Sequence, residues 1–302
     1  MKDHDGERMA GKRALLIGGL GFIGTHLTKA LLEKHVRVTI IARQEGAIPR
    51  GATLIVADAF ETNKYRNELR DAEFIVNLVG LRTNDAAESR RVNYEFPLKL
   101  LEEMRALGAK GLLVQFGSRL EYGEQEKMPV PESASCTPAE PYGSNKLAAE
   151  QGLLGAARAG TLRCACYRVA TVYGSGSRGM VNMLVETLRR GGTFTIHGDG
   201  SRVKDFIHVD DVAAAVLATL TRADACQGEA FNLGGGEPLT FLEAAETVRR
   251  IVGKGKIAVD AAKAANDPAF VADIEKIKKH AGWTPHVSFA EGIKKIVQEG
   301  DS

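Results

Sequence analysis

Two side chains near the middle of the sequence have the residue types and the spacing that proton transfer requires. Tyr142 and Lys146 stand four residues apart in a helical segment that opens at Pro141, so both lie on one face of the helix. A tyrosine phenol ordinarily has a pKa of about 10, and a neighbouring ammonium is needed to stabilise phenolate near neutral pH. Ser118, which follows the preceding predicted strand, can donate a hydrogen bond to the same substrate oxygen. The pattern predicts an acid/base site with Ser118, Tyr142 and Lys146 as catalytic residues.

A glycine-rich segment near the start of the chain predicts a site for an anionic cofactor. The apolar run Ala14–Ile17 reads as a strand, and apolar residues recur at helical spacing from Ile23 onward. Between the two, Gly18 allows a sharp turn, Gly21 lets the backbone approach a pyrophosphate, and Gly24 lets the helix pack close to the strand. The N-terminus of that helix therefore points at an anion. The candidate cofactor-binding residues of this segment are Gly18, Gly21, Phe22, Ile23 and Gly24.

The end of the second predicted strand bears on the choice of dinucleotide. Residues Val36–Ile41 read as this strand, and Ala42 and Arg43 follow it. Many dinucleotide folds carry an acidic residue here, about 20 positions after the glycines, for the ribose 2′-hydroxyl. Ala42 offers no carboxylate to repel a 2′-phosphate, and the Arg43 guanidinium can pair with one. We predict NADP as the preferred cofactor and NAD as the alternative, although Arg43 also fits an ordinary exposed arginine.

Two further candidates lie at the ends of the next strands. Asp58 follows the predicted strand Thr53–Val56 and fits either a contact with adenine or a turn aspartate. Val79 ends the predicted strand Phe74–Val79, at the edge of the sheet where ligands bind in open α/β folds. Together with the later strand Leu112–Phe116, these runs predict an α/β fold with a doubly wound parallel sheet.

Composition excludes several classes of function. The 302 residues are 44% hydrophobic, and the net charge of +2 comes from 40 basic and 38 acidic residues that are interspersed. This argues against a nucleic-acid or membrane-surface partner, and no apolar stretch is long enough to span a bilayer. The four cysteines form no CxxC or His/Cys ligand pattern, so we expect reduced thiols, no metal and a cytoplasmic protein.

Taken in order along the chain, these segments resemble the extended short-chain dehydrogenase/reductase family, which includes nucleotide-sugar epimerases, dehydratases and reductases. The resemblance covers nearly the whole chain. It rests on GGLGFIG (Gly18–Gly24), Ser118 four residues before Tyr122, YxxxK (Tyr142–Lys146), RVATVYG (Arg168–Gly174), KDFIHVDDV (Lys204–Val212), FNLGGGEP (Phe231–Pro238) and GWTP (Gly282–Pro285).

The resemblance implies a Rossmann domain with a smaller, interleaved substrate lobe. We expect residues 13–173 and 206–232 to form the cofactor domain, residues 174–205 and 233–302 to form the substrate lobe, and residues 1–12 to be a flexible extension. Gly123–Pro141, a long loop with four prolines, is expected to wall the site. Relatives often dimerise through the helices that contain Leu98 and Tyr142, so a homodimer is expected. The small residues Ala148, Gly152 and Gly155 suit that face, or packing within the chain.

Departures from the family pattern bear on the reaction. Dehydratases of the family place an Asp-Glu pair directly after the catalytic Thr, whereas this chain has Arg119 and Leu120, which argues against elimination of water. The resemblance therefore implies an NAD(P)-dependent nucleotide-sugar epimerase that acts through a transient keto intermediate. An NADPH-dependent reductase of a nucleotide-linked 4-keto-6-deoxysugar is the alternative, and a non-catalytic NADP-sensing scaffold is an alternative of another class.

The substrate is expected to be a nucleoside-diphosphate sugar that lies across the cleft. Its sugar would approach Ser118 and Tyr142, and its pyrophosphate would need cations or helix N-termini. The candidates are Arg178, in a glycine-rich loop before an apolar helix, and Arg202 and Lys204 before Asp205. Each of these bases also fits a solvated surface residue.

Overall fold

A computed structural model describes residues 9–263 and 268–300, and its centre is a seven-stranded sheet in the order β10-β6-β5-β4-β1-β2-β3. Every pair of neighbouring strands in it is parallel. The strands are β1 (Arg13–Ile17), β2 (Arg37–Ala42), β3 (Thr53–Val56), β4 (Phe74–Asn77), β5 (Leu112–Phe116), β6 (Cys164–Val169) and β10 (Glu229–Leu233).

The strand order reverses direction between β1 and β4. Chain order runs outward from β1 to β3 on one side and from β4 to β10 on the other, so the two loops that leave β1 and β4 separate. Ile17 lies level with Ile41 of β2 and Asn77 of β4, which brings the carboxyl ends of three strands to one edge. A switch of this kind opens a ligand-binding crevice. The predicted doubly wound α/β fold is confirmed.

Helices cover both faces of this sheet. The described helical segments are α1 (Phe22–Glu33), a 3₁₀ turn (Thr62–Tyr65), α2 (Arg66–Asp71), α3 (Ala86–Arg90), a π-helical segment (Arg91–Glu95), α4 (Phe96–Leu107), a 3₁₀ turn (Arg119–Glu121), α5 (Pro141–Arg158), α6 (Met180–Arg189), α7 (Val209–Thr221), α8 (Ala223–Cys226), α9 (Phe241–Val252), α10 (Glu275–Ala281) and α11 (Phe289–Glu299). On one face, α1 and α7 bury Leu27 and Val216, and on the other α4 and α5 bury Met104 and Leu153.

A smaller part of the molecule lies beyond the carboxyl edge. It contains the three-stranded sheet β11-β9-β7, with β7 (Thr171–Tyr173), β9 (Val203–His208) and β11 (Pro238–Thr240), and the pair β12-β8, with β8 (Thr193–His197) and β12 (Lys256–Asp260). Helices α6, α9 and α11 surround a separate apolar core. The expected lobe boundary at residue 173 coincides with the end of β7, whereas the one at residue 206 falls inside β9, and the division into lobes stays a prediction.

The N-terminal extension is predicted to be flexible up to residue 12, and the described residues 9–12 make specific contacts with the rest of the chain. Met9 is 2% exposed and packs in the main core, where its sulfur accepts a hydrogen bond from Thr221. The Gly11 N–H donates to the carbonyl of His35, and the Lys12 ammonium lies 5.1 Å from the centre of the Phe74 ring. One apolar side chain among charged neighbours is enough to anchor this segment. Residues 1–8 lie outside the described part of the chain.

The small residues of α5 contact a neighbouring helix in the same chain. A Cβ atom on Gly152 would lie 2.8 Å from Cδ2 of Leu98 on α4, so Gly152 permits close intramolecular packing. Gly155 is exposed and faces open space. In the ranges 9–263 and 268–300, no helix has both the length and the hydropathy that a bilayer crossing needs.

Candidate active site

The glycine segment forms a tight turn, called the cradle below, where β1 meets α1. Gly18 has φ +82°, and a Cβ atom there would lie 3.2 Å from Cγ2 of Val79, because the turn passes directly beside the end of β4. Gly21 is exposed and precedes the first turn of α1, which contains no acidic residue. A Cβ on Gly24 would lie 2.6 Å from Cα of Gly19, so helix and turn touch backbone to backbone.

These features fit the phosphates of a dinucleotide, because the helix offers unpaired N–H groups and the glycines leave the backbone accessible. Sequence reasoning omitted Gly19, although its position beside Gly18 was a visible signal. Phe22 and Ile23 open α1 as expected and are half-buried, and the Phe22 ring packs edge-to-face on His26 with centroids 5.7 Å apart.

The other predicted cofactor residues line the same edge. Ala42 ends β2, and Arg43 after it is exposed. The Asp58 carboxylate accepts a hydrogen bond of 2.9 Å from the N–H of Phe60, as the turn interpretation requires. The Val79 carbonyl accepts a hydrogen bond of 3.1 Å from the ammonium of Lys146, which links the cofactor edge to the predicted catalytic residues.

Lys146 is fixed between two strand ends. Its side chain is buried, and Nζ donates a second hydrogen bond, of 2.9 Å, to the carbonyl of Phe116 at the end of β5. Burial lowers the pKa of Lys146 to about 8, against the opposing effect of the Glu121 carboxylate. A Cβ on Gly80 would lie 3.1 Å from Nζ, so the glycine at that position leaves room for the ammonium.

Tyr142 lies one helical turn before Lys146, with its ring centre 6.0 Å from Nζ. Burial and the charge of Glu121 raise the pKa of Tyr142 to about 12, while the Arg82 guanidinium and a hydrogen bond with Ser118 lower it. Burial has the largest effect on this pKa, and the Lys146 ammonium beside the ring is held by the carbonyls of Val79 and Phe116. At neutral pH the phenol is protonated here and can donate a hydrogen bond.

Ser118 is held in a reciprocal capping box in the turn Arg119–Glu121. Its Oγ accepts a hydrogen bond of 3.2 Å from the N–H of Leu120, and its own N–H donates one of 2.7 Å to the carboxylate of Glu121. Ser118, Tyr142 and Lys146 are thus brought together by the carboxyl end of β5 and the first turns of α5. Sequence reasoning placed these three residues together but did not single out Glu121.

The predicted substrate-binding bases do not converge in the same way. Arg178 is exposed just before α6, and Arg202 pairs with Glu124 at 3.3 Å. Lys204 is 4% exposed, and its ammonium donates a hydrogen bond of 3.0 Å to the carbonyl of Pro268. The alternative interpretation of Lys204 as a solvated surface base is therefore wrong, and the role that the geometry shows for its ammonium is to hold a backbone carbonyl.

Sequence reasoning also missed Asn93, which shapes the loop after β4. Its side-chain amide pairs with both the N–H (3.0 Å) and the carbonyl (2.7 Å) of Leu81, and it is wholly buried in the π-helical segment. The signal was a polar residue on the apolar side of a long helix. π-helical turns frequently occur at functional sites.

Comparison with known proteins fits this geometry. A family model described as the NAD dependent epimerase/dehydratase family matches residues 14–234. The chain belongs to this family. The UDP-glucose 4-epimerase of Corynebacterium glutamicum is 30% identical, covering 90% of this chain and 91% of its own length. The crystal structure of UDP-glucose 4-epimerase with UDP-glucose from Thermotoga maritima has 28% identity and a TM-score of 0.87, covering 96% of this chain and 98% of that one.

A further solved structure, MoeE5 in complex with UDP-glucose and NAD, has 26% identity and a TM-score of 0.86, covering 96% of this chain and all (100%) of that one. These similarities confirm the predicted family, the predicted fold and the predicted class of enzyme, an NAD(P)-dependent nucleotide-sugar epimerase.

Proposed function

We propose that this protein is a nucleotide-sugar 4-epimerase that acts on a UDP-hexose. The observation that carries the proposal is the meeting of Ser118, Tyr142 and Lys146 at the carboxyl edge of β4 and β5, beside the glycine cradle. The epimerases of Corynebacterium glutamicum and Thermotoga maritima support the choice of 4-epimerisation and of a UDP-linked sugar.

The nicotinamide of the bound cofactor supplies the hydride acceptor and donor. The chain supplies the proton chemistry. Tyr142, as phenolate, takes the proton of the sugar hydroxyl at the carbon that is oxidised, and it returns that proton when the carbonyl is reduced from the other face. Ser118 donates a hydrogen bond to the same oxygen. Lys146 places a positive charge beside this proton transfer, which favours the ionised phenol in the catalytic complex.

Neither alternative is favoured by a specific observation. A reductase needs the same three catalytic residues, but the relatives reported above are epimerases or bind UDP-glucose with NAD. A scaffold that only senses the dinucleotide would need the cradle alone, whereas the buried Lys146 ammonium is held beside Tyr142 although burial lowers its pKa. The position of Arg119 after Ser118 supports the argument against dehydration.

The decisive assay is interconversion of UDP-glucose and UDP-galactose with NADP or NAD added. Tyr142→Phe should lower kcat by about 10²–10⁴, the usual contribution of a general acid/base, while cofactor binding stays nearly intact. Tyr94→Phe, which removes a hydroxyl from a ring that lies 4.6 Å from the Arg90 guanidinium, is the control and should retain activity. Ordinary turnover by Tyr142→Phe would refute the assignment.

For the cofactor, we propose a preference for NADP that depends on Arg43. A charged hydrogen bond contributes about 1.5–3 kcal/mol, so Arg43→Ala should weaken NADP binding about tenfold to a hundredfold and leave NAD binding unchanged. Arg37→Ala, at the opposite end of β2, is the matched control. Equal affinities for NAD and NADP in the wild-type protein would refute the preference.

The pyrophosphate of the substrate is proposed to bind near the loop that leads into α6. Arg178 is the exposed base of that loop, and Arg202 is partly exposed beside Glu124. Free glucose should not react measurably, and Arg178→Ala should raise KM for the UDP-sugar without a matching loss of kcat. Equal reaction of free sugar and nucleotide sugar would contradict this placement.

A homodimer and a cytoplasmic location complete the proposal. Helices α4 and α5 lie side by side, and Gly155 presents a surface without a side chain on which a second copy could pack. The four cysteines are free, which suits a reducing compartment. Light scattering coupled to size exclusion would test the dimer, and a mass of one chain would contradict it.

A further inference from the structure

A carboxyl group is completely buried directly behind the candidate active site. Glu121 is 0% exposed, in the turn that follows β5, and no step of the proposed reaction uses it. A buried carboxyl group is costly to maintain unless its interactions compensate. Its contacts therefore indicate what the residue does.

One oxygen of Glu121 fixes the backbone of Ser118. Oε1 accepts a hydrogen bond from the Ser118 N–H at 2.7 Å. The preceding glycine is matched to this contact, since a Cβ on Gly117 would collide with the same oxygen. The lack of a side chain at Gly117 therefore provides the space that the Glu121 carboxyl group occupies.

The second carboxyl oxygen of Glu121, Oε2, makes no hydrogen bond to a described residue. This oxygen is buried and lies 3.7 Å from Nε of Arg168. Arg168 in turn is held by two hydrogen bonds to Glu150. Glu121 thus lies against a buried ion pair on one side, and its hydrogen bond on the side of the candidate active site is to the Ser118 N–H.

The hydroxyl of Ser118 is oriented by the same turn. Its Oγ accepts the N–H of Leu120 at 3.2 Å, and the same hydroxyl also hydrogen-bonds the phenol of Tyr142, on the side where the substrate oxygen is proposed to lie. If the Ser118 N–H were released from Glu121, the turn could rotate and both bonds would be lost together, because the two hydrogen bonds of a capping box are reciprocal.

We propose that Glu121 is a positioning residue, which acts through Ser118 by holding its hydroxyl in the orientation that donates to the reacting oxygen of the substrate. This inference rests on the proposed epimerase function. It adds a residue that touches neither substrate nor cofactor, and it predicts that the catalytic contribution of Ser118 depends on Glu121.

A double-mutant cycle tests this dependence. Ser118→Ala should lower kcat about a hundredfold, Glu121→Leu about tenfold to a hundredfold, and the double variant no further than Ser118→Ala alone. Glu121→Gln retains an acceptor for the Ser118 N–H and should recover most of the activity lost in Glu121→Leu. Independent, multiplying losses of Glu121→Leu and Ser118→Ala would overturn the proposal.

The matched control is Glu132, whose carboxylate also accepts a backbone N–H, from Asn232 at 2.8 Å, but does not contact Ser118. Any loss in Glu132→Leu should multiply with that of Ser118→Ala. If Glu121→Leu does not fold, Glu121→Asp replaces it, because its shorter side chain keeps the acid but withdraws the oxygen from Ser118.

A second measurement needs no substrate. Amide hydrogen exchange of Ser118, followed by NMR, should be at least about tenfold faster in Glu121→Leu or Glu121→Asp and near the wild-type rate in Glu121→Gln. If the wild-type protein failed to turn over any UDP-sugar, the proposed function would be refuted, but the exchange rate would still test the contact between Glu121 and the Ser118 N–H. An unchanged exchange rate in both Glu121→Leu and Glu121→Asp would overturn the positioning role.

Discussion

Replacing Gly24 with alanine has two opposing effects on the stability of α1 and of the turn before it. Alanine is favoured over glycine inside a helix by about 1 kcal/mol. The added Cβ, however, would lie 2.6 Å from Cα and 2.7 Å from the carbonyl carbon of Gly19. Because these are backbone atoms of the cradle, they cannot move aside as a side chain would, and overpacking costs about 1–3 kcal/mol. With the cost at its upper end, we expect a net loss of about 2 kcal/mol of unfolding free energy.

Two other helical glycines serve as controls, both on α5. A Cβ on Gly155 meets nothing within 4 Å, so Gly155→Ala should stabilise the protein by about 0.5–1 kcal/mol. A Cβ on Gly152 meets the flexible end of Leu98 at 2.8 Å, so Gly152→Ala should fall between the two.

Urea denaturation with and without NAD measures both consequences of Gly24→Ala. The variant should lose stability and also much of the stabilisation that NAD gives the wild type, since displacement of Gly19 distorts the cradle. The order Gly155→Ala, Gly152→Ala, Gly24→Ala from most to least stable is the prediction. A Gly24→Ala protein as stable as Gly155→Ala, with normal NAD stabilisation, would refute the steric reasoning.

Three further predictions concern stability. The two ring nitrogens of His26 face only acceptors, the Asp210 carboxylate and the carbonyl of Ser175, and the hydrogen bond to Asp210 raises the pKa of His26. The stabilisation that protonated His26 gives should be complete below about pH 6.5 and should be lost as the pH rises through the raised pKa. The Tm difference between wild type and His26→Gln should therefore shrink from about pH 6 to about pH 9, and a constant difference would contradict this. Arg168→Met leaves Glu150 buried without its partner and should cost about 3–5 kcal/mol in urea denaturation, whereas replacing both residues by Met should recover only part of the loss, because Glu121 still lacks Arg168. Met9→Ala should cost about 2–5 kcal/mol by the same assay, and a loss below about 1 kcal/mol would show that the segment is not anchored.

Local patterns were sufficient to predict the parts of the site that chemistry ties to a short segment. Gly18 and Gly24 indicate the cradle because only glycine fits its backbone. Tyr142 and Lys146 could be predicted as a pair because one helical turn separates them. Ser118 could be added because parallel strands deliver their carboxyl ends to one edge.

The remaining features depend on contacts between distant segments. Nothing near Lys204 in the sequence indicates that its ammonium holds the carbonyl of Pro268, 64 residues away. His26 and Asp210 are 184 positions apart. Glu121 looks like an ordinary exposed acid in a turn, and only the packing of β6 and α5 against it shows that it is buried. These residues take their roles from tertiary structure and carry no local signature.

The π-helical segment Arg91–Glu95 makes this enzyme sensitive to insertion and deletion in a way that its loops are not. Each residue of an α-helix turns the chain by about 100°, so removing one residue here would rotate everything after it relative to everything before it. After such a deletion, Asn93 could keep its hydrogen bonds to Leu81 only if Phe96 and Leu100 left the core. Phe96 and Leu100 could stay in the core only if Asn93 lost those hydrogen bonds. The length of this helix should therefore be fixed to the residue wherever the contact between Asn93 and Leu81 is retained.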